Sequence, residues 1–148
     1  MVTVEKEVLT DALAQRLIEL SALWVEEDCS WGMVVNTRED LKEPLYIARD
    51  GDTVVGYAFG HFYTQEKRTS SIPSGSRCFD VDELYVLPEY RSGGVGRALF
   101  CRLREEVGRE ADFITLVTST KDYKRILKFY IDELGMDFHN AFLFQETK

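Results

Sequence analysis

Residues 82–100 read Asp-Glu-Leu-Tyr-Val-Leu-Pro-Glu-Tyr-Arg-Ser-Gly-Gly-Val-Gly-Arg-Ala-Leu-Phe. Phe79 to Leu87 is β-rich, and Pro88 stops it, because proline has no N–H to continue a ladder. Glycines 93, 94 and 96 follow, then a helix from about Val95 to Glu110 whose Leu99, Leu103 and Val107 share one face. A strand, a glycine turn and a helix start together make an anion site. The first helical amides have no intrahelical partner, and the macrodipole adds partial positive charge. Glycines let a phosphate approach the backbone with no Cβ in the way. Arg91 and Arg97 flank the turn and add charge.

Outward from this stretch the pattern alternates between helix and strand. Downstream, Phe113–Val117 reads as a short strand, and residues from about Lys121 to Glu133 as a helix ended by Gly135. Phe138, Phe142 and Phe144 fall on one side of a final strand. Upstream, Val2, Val4 and Val8 mark a first strand. Leu13, Leu17, Leu20 and Trp24 recur at helical spacing behind Thr10 and Asp11. Thr37 and Asp40 form a capping box for a short helix. Leu45–Arg49 and Thr53–Tyr63 are joined by Asp50-Gly51-Asp52, a hairpin signal. Gly56 and Gly60 mark bulges or close backbone approach. Residues 64–77 are a polar loop. The strands on either side of the helix after the glycine turn should be parallel neighbours with a right-handed crossover. The prediction is one mixed α/β domain over residues 1–148. Its central sheet is mostly antiparallel, of about six to seven strands, with helices on both faces and one parallel βαβ pair.

Composition narrows the partners. Eighteen basic and 26 acidic residues give a net charge of -8. That disfavours nucleic acid, which needs a basic footprint, and fits an amine-bearing substrate as well as plain solubility. No apolar run is long enough to span a bilayer. Cys29, Cys78 and Cys101 have no metal-type spacing, and His61 and His139 stand alone, so no metal is expected. Odd, scattered cysteines and no targeting signal point to a cytoplasmic protein.

The spacings Gly-x-Gly-x-x-Gly of dinucleotide folds and Gly-x4-Gly-Lys-Ser/Thr of P-loops are both absent. What stands here is Arg-x-x-Gly-x-Gly, from Arg91 to Gly96, preceded by Asp82-Glu83-Leu84-Tyr85-Val86-Leu87-Pro88. With Lys128-Phe129-Tyr130-Ile131-Asp132-Glu133-Leu134-Gly135-Met136 downstream, it closely resembles the GNAT superfamily of N-acetyltransferases. The resemblance covers nearly the whole chain and implies acetyl-CoA as co-substrate. It places the coenzyme pyrophosphate on the loop Arg91, Ser92, Gly93, Gly94, Val95, Gly96 and Arg97. It places the pantetheine arm and acetyl carbonyl against the backbone of Leu84, Tyr85 and Val86, at a bulge, with Thr118 and Ser119 nearby. Tyr123 stands where many members carry a pantetheine-binding asparagine.

The same resemblance implies direct transfer to an amine. The amine must be neutral to attack, so a carboxylate removes its proton. Asp80, Asp82 and Glu83 are the candidates, in the preference Asp82, then Glu83. Asp80 and Asp82 share a face by alternation, and Glu83 faces oppositely unless a bulge intervenes. Tyr130 is the expected proton donor to the leaving thiolate. Glu26, Glu27, Asp28 and Trp31 follow a helix that the resemblance expects to wall the acceptor cleft, where aromatics and carboxylates suit a cationic amine, and Trp24 reads as a core tryptophan. The acceptor is a primary amine on a small molecule or peptide. A non-catalytic acyl-CoA sensor and a protein N-terminal or lysine acetyltransferase are the alternatives. A homodimer is compatible with all three.

Overall fold

The computed structural model describes residues 1–148. Five strands form one sheet in chain order: β1 Val2–Glu7, β2 Leu45–Asp50, β3 Thr53–Thr64, β4 Arg77–Val86 and β5 Phe113–Thr115. The first four pair antiparallel, and β4 and β5 pair parallel. Helix α1, Asp11–Glu27, packs on one face and α2, Val95–Val107, on the other. Thr10 caps α1 by accepting the Leu13 amide at 3.2 Å. The expected helix behind Thr37 is one 3₁₀ turn, Arg38–Asp40, closed by the Thr37 amide donating to Asp40 at 2.7 Å. A short helix α3, Tyr123–Leu127, runs into a π-helical turn, Lys128–Glu133, which ends at Gly135 in the left-handed region.

The core lies on both faces of the sheet, with Leu17, Leu20, Ile47, Tyr57 and Phe59 fully buried, as are Leu99 and Leu103 of α2. Gly56 and Gly60 are close-approach positions. A Cβ at Gly60 would overlap the Asp80 carbonyl, and one at Gly56 would stand 2.8 Å from Tyr85 O. Both glycines lie where β3 meets β4, which is the most extensive pairing in the sheet.

The sheet has five strands, fewer than the six to seven expected. The stretch holding Phe138, Phe142 and Phe144 forms no strand. Its side chains are largely exposed, and Phe142 is 90% so. The last ladder of the sheet, β4–β5, is only three residue pairs long, from Cys78↔Phe113 to Asp80↔Thr115. So short an edge offers little to pair with.

Candidate active site

The short β4–β5 ladder creates the site. Beyond Asp80, β4 has no partner on the β5 side, and the chain after Thr115 diverges from it. The gap is a cleft of about 700 Å³, a volume typical of ligand sites. Asp82 to Val86 form one wall and Leu116 to Thr120 the other. Arg91, Ser92, Gly94, Gly96 and Arg97 close one end. At about 3.3 Å per residue, Glu83 lies roughly 10 Å along the strand from Val86.

The loop's left-handed turns fall at Ser92 (φ 66°) and Gly94 (φ 86°), a conformation that costs a residue with a Cβ and costs glycine little. Gly94 is the N-cap of α2 and supplies no side-chain cap, so nothing from the cap occupies the first amides. Gly96 serves packing instead: a Cβ there would stand 3.4 Å from the Phe129 ring.

The flanking arginines are engaged with the protein. Arg97 donates to Glu133 O at 2.7 Å. Arg91 donates to both Glu27 oxygens, at 2.6 and 2.9 Å, and to Val86 O at 2.8 Å. Burial alone would raise the Glu27 carboxyl, but bonds from Arg91 and Tyr85 outweigh it and hold the group below its usual range. Arg125 and Lys128 also line the cleft, and sequence reading missed both.

At the other end a bulge sets the carboxylates. The register passes from Phe59↔Glu83 to Gly60↔Val81, leaving Asp82 as the extra residue. Asp82 and Glu83 therefore both reach groups on the α1 side, and alternation is broken. Asp82 Oδ2 accepts from Lys42 Nζ at 3.1 Å and lies 3.0 Å from His61 Nδ1. Glu83 is more enclosed. Its Oε1 accepts the Tyr57 hydroxyl at 2.7 Å, and Asn36 Nδ2 lies 2.9 Å from each oxygen. Burial raises the Glu83 carboxyl above its ordinary value, although those two bonds pull the other way. Burial also raises the Tyr57 phenol well above its usual value, so it stays a neutral donor.

Tyr130 lies in the π-helical turn and lines the cleft. Such turns interrupt the i→i+4 ladder and recur at functional sites. Burial pushes its phenol up to about 12, and its ring packs 5.1 Å from Phe129 and 6.2 Å from Phe100. Thr118 and Ser119 line the cleft, as expected.

Seven expected site residues lie off the cleft. Glu26, Glu27 and Asp28 do not line it, although Trp31 does, and so does Trp24, which the sequence placed in the core. Gly93 and Val95 belong to the loop but do not line it, Val95 being buried beneath. Tyr123 opens α3 and is exposed. Asp80 accepts Thr115 Oγ1 at 2.7 Å across the β4–β5 pair, and Thr115 bonds Tyr63. Ligand atoms of His61, Asp80 and Asp82 gather within 4.8 Å of one another, although His61 looked isolated in sequence. The carboxylates are already engaged, by Lys42 and Thr115.

Sequence reading also missed Asn36 and Tyr57. Tyr57 stands directly opposite Tyr85 in the β3–β4 register, and a buried tyrosine on that face needs a partner for its hydroxyl. Asn36 sits in an irregular stretch that no local pattern marks.

The model of the acetyltransferase (GNAT) family matches residues 7–136. The chain belongs to the GNAT acetyltransferase family. No curated protein matches it. Among solved structures it is similar to AAC(6')-Iy bound to the bisubstrate analogue CoA-S-monomethyl-acetylneamine, at 15% identity and a TM-score of 0.68, covering 100% of this chain and 99% of that one. It is similar to the aminoglycoside acetyltransferase meta-AAC0020 from an uncultured soil metagenomic sample, solved with sisomicin, at 15% identity and a TM-score of 0.71, covering 99% and 96%. A predicted acetyltransferase from Clostridium acetobutylicum, solved with acetyl-CoA, matches at 18% identity and a TM-score of 0.68, covering 99% and 96%. At these identities the GNAT fold is what is shared.

Proposed function

We propose that this GNAT protein transfers the acetyl group of acetyl-CoA directly to a primary amine, with Glu83 as the base and Tyr130 as the acid. The observation that carries the reading is one cleft bounded by an uncapped helix start at one end and the Glu83 carboxylate at the other. A phosphate suits the first end, where amides and the α2 dipole meet it. An ammonium suits the second.

Once deprotonated, the amine nitrogen attacks the thioester carbonyl carbon. A carbon–nitrogen bond forms, the carbon–sulfur bond breaks, and the thiolate leaves with the electron pair. Glu83 takes the proton that the ammonium loses before attack, the nitrogen sheds its second proton to solvent after attack, and Tyr130 gives its proton to sulfur and regains one from solvent. A base is most effective with its pKa near the working pH, and burial moves Glu83 in that direction. Glu83 is preferred over Asp82 because Asp82 is already ion-paired with the Lys42 cation, whereas the bonds Glu83 accepts come from the neutral Tyr57 and Asn36. Amine-bearing acceptors of the aminoglycoside kind, such as those bound by the similar structures, belong in the first screen.

The test is thiol release from acetyl-CoA over a panel of aminoglycosides, polyamines, amino acids and peptides, beside calorimetric titration with coenzyme A. Binding with amine-dependent thiol release supports the reading. No coenzyme A binding ends it, and binding with no turnover on any amine leaves a sensor.

A further inference from the structure

Arg91 opens the glycine loop, where its sequence position marks it as a phosphate ligand. Its guanidinium is instead bonded within the protein. Nη1 and Nη2 meet the two Glu27 oxygens in a fork, and Nε holds the Val86 carbonyl. The same Glu27 accepts the Tyr85 hydroxyl at 2.7 Å. The Tyr85 ring lies 5.4 Å from the Arg91 guanidinium carbon on one side and stacks on Trp24 at 5.1 Å and 23°. Trp24 and Glu27 belong to the last turns of α1, Tyr85 to β4 and Arg91 to the loop, so one knot of side chains joins three elements.

The segment immediately after Glu27 forms part of the site. Asp28 is a left-handed C-cap, and residues 29–33 then line a further wall of the cleft. That wall is tied at its far side as well: Trp31 N donates to Ser119 O and Lys121 N donates to Cys29 O, both at 2.8 Å. The position of Glu27 therefore decides where the wall begins. A fork between guanidinium and carboxylate is directional and is lost on replacement by lysine, whereas simple charge attraction to a phosphate largely survives it.

We infer that Arg91 is a positioning residue, paired with Glu27 to fix the wall at residues 29–33 relative to β4, and that it does not serve as a phosphate ligand. This rests on the acetyl-CoA reading above. The phosphates then depend on the loop amides, with Arg97, Arg125 and Lys128 as the surrounding cations. Losing Arg91 harms the acceptor side of the reaction and spares coenzyme binding.

The experiment compares wild type with R91K, R91A, E27Q and the double variant R91A/E27A. Coenzyme A affinity is read by calorimetry, and kcat and KM by thiol release with the best amine from the screen. Hydrogen exchange of the segment 28–33 is followed in parallel, at a temperature where every variant is folded by circular dichroism. The expectation is that coenzyme A affinity stays within about threefold in all four, while kcat/KM for the amine falls at least about tenfold in R91K and E27Q alike. Exchange in 28–33 rises in both. The double variant is no worse than R91A alone, as coupled partners require.

The inference is overturned if R91A loses tenfold or more in coenzyme A affinity, R91K restores it, and E27Q transfers acetyl normally. E27Q keeps the side-chain shape, so it decides the matter even if R91A fails to fold. Wild type that takes up no coenzyme A overturns both readings, and differs plainly from the case in which wild type binds and only R91A does not.

Discussion

The two ends of the cleft are built by different means. The end proposed for phosphate is made of backbone: a turn needing left-handed φ at Ser92 and Gly94, and the free amides of α2. The end proposed for the acceptor is made of side chains from distant stretches, with Asn36, Tyr57 and Glu83 meeting across separations of 47 and 26 residues. Backbone geometry is specified by neighbouring residues, so glycine spacing reveals it. Side-chain constellations depend on register, which one extra residue changes. Substitutions should separate the two ends cleanly, one class altering turnover and the other affinity.

The largest effect belongs to the acceptor end. Glu83→Gln removes the proposed base and keeps its size, so kcat should fall by about 10²- to 10³-fold. Coenzyme A affinity by calorimetry should not change. The acid limb of the wild-type kcat/KM profile should also lie above the range of an ordinary glutamate, because burial raises this carboxyl and only its ionised form accepts a proton. Activity therefore rises with pH through that limb. If Asp82→Asn, and not Glu83→Gln, abolishes turnover, the roles given to the two carboxylates are reversed.

Tyr130→Phe is expected to cost about 10²-fold in kcat through loss of thiolate protonation. The alkaline limb of the profile should change with it, since the phenol sits at about 12 and is protonated throughout the neutral range. Binding of coenzyme A should persist. A Phe variant with wild-type turnover would reduce Tyr130 to a packing residue beside Phe129 and Phe100.

The phosphate end should respond in affinity instead. Gly94→Val forces a β-branched residue to φ 86°, a strain of about 1–2 kcal/mol. Relief of that strain by a shift of the loop should weaken coenzyme A roughly tenfold, read by titration, with kcat at saturation preserved. Gly93→Ala is the control: nothing lies closer than 3.9 Å to its Cβ, and its affinity should match wild type. Equal losses in both variants would mean that the loop binds by close approach at every glycine.

The sequence made the geometry of the glycine-loop end legible and that of the carboxylate end only in part. The hairpin at Gly51, the helix behind Thr10, the βαβ crossover and the stop at Gly135 all follow from local signals, and each stands in the structure. The resemblance put the bulge at Leu84–Val86, whereas those residues pair in unbroken register and the bulge is at Asp82, because that is where β3 and β4 change register. Arg91 shows a related limit. Its position in the loop is local, but the direction of its guanidinium is decided by Glu27, 64 residues away. The final strand failed where alternation of Phe142 and Phe144 met an edge of only three residues.

Asp80 tests the boundary between the halves with the smallest effect. It shares its strand with Asp82 and Glu83, yet it faces Thr115 and lies off the cleft. Burial and the nearby Asp82 raise its carboxyl, and the Thr115 bond, His61 and Lys42 only partly offset this. A folded-state value above the unfolded one means that the charged form is disfavoured by folding. The associated stability is present below the unfolded pKa and is lost as pH rises through the folded one. Asp80→Asn removes that penalty and keeps an oxygen to accept the Thr115 hydroxyl. Water still reaches the group, so the gain should be under ~1 kcal/mol. Thermal unfolding should show Tm rising by a degree or two near pH 7 and by nothing near about pH 3, where Asp80 is protonated in both states. Turnover should hold at the wild-type level. A fall in Tm at neutral pH would show that the Asp80 charge is needed to hold His61 and Lys42 in place. The bulge and the fold of this edge would then depend on the same ionic cluster, joining the acceptor end to the core.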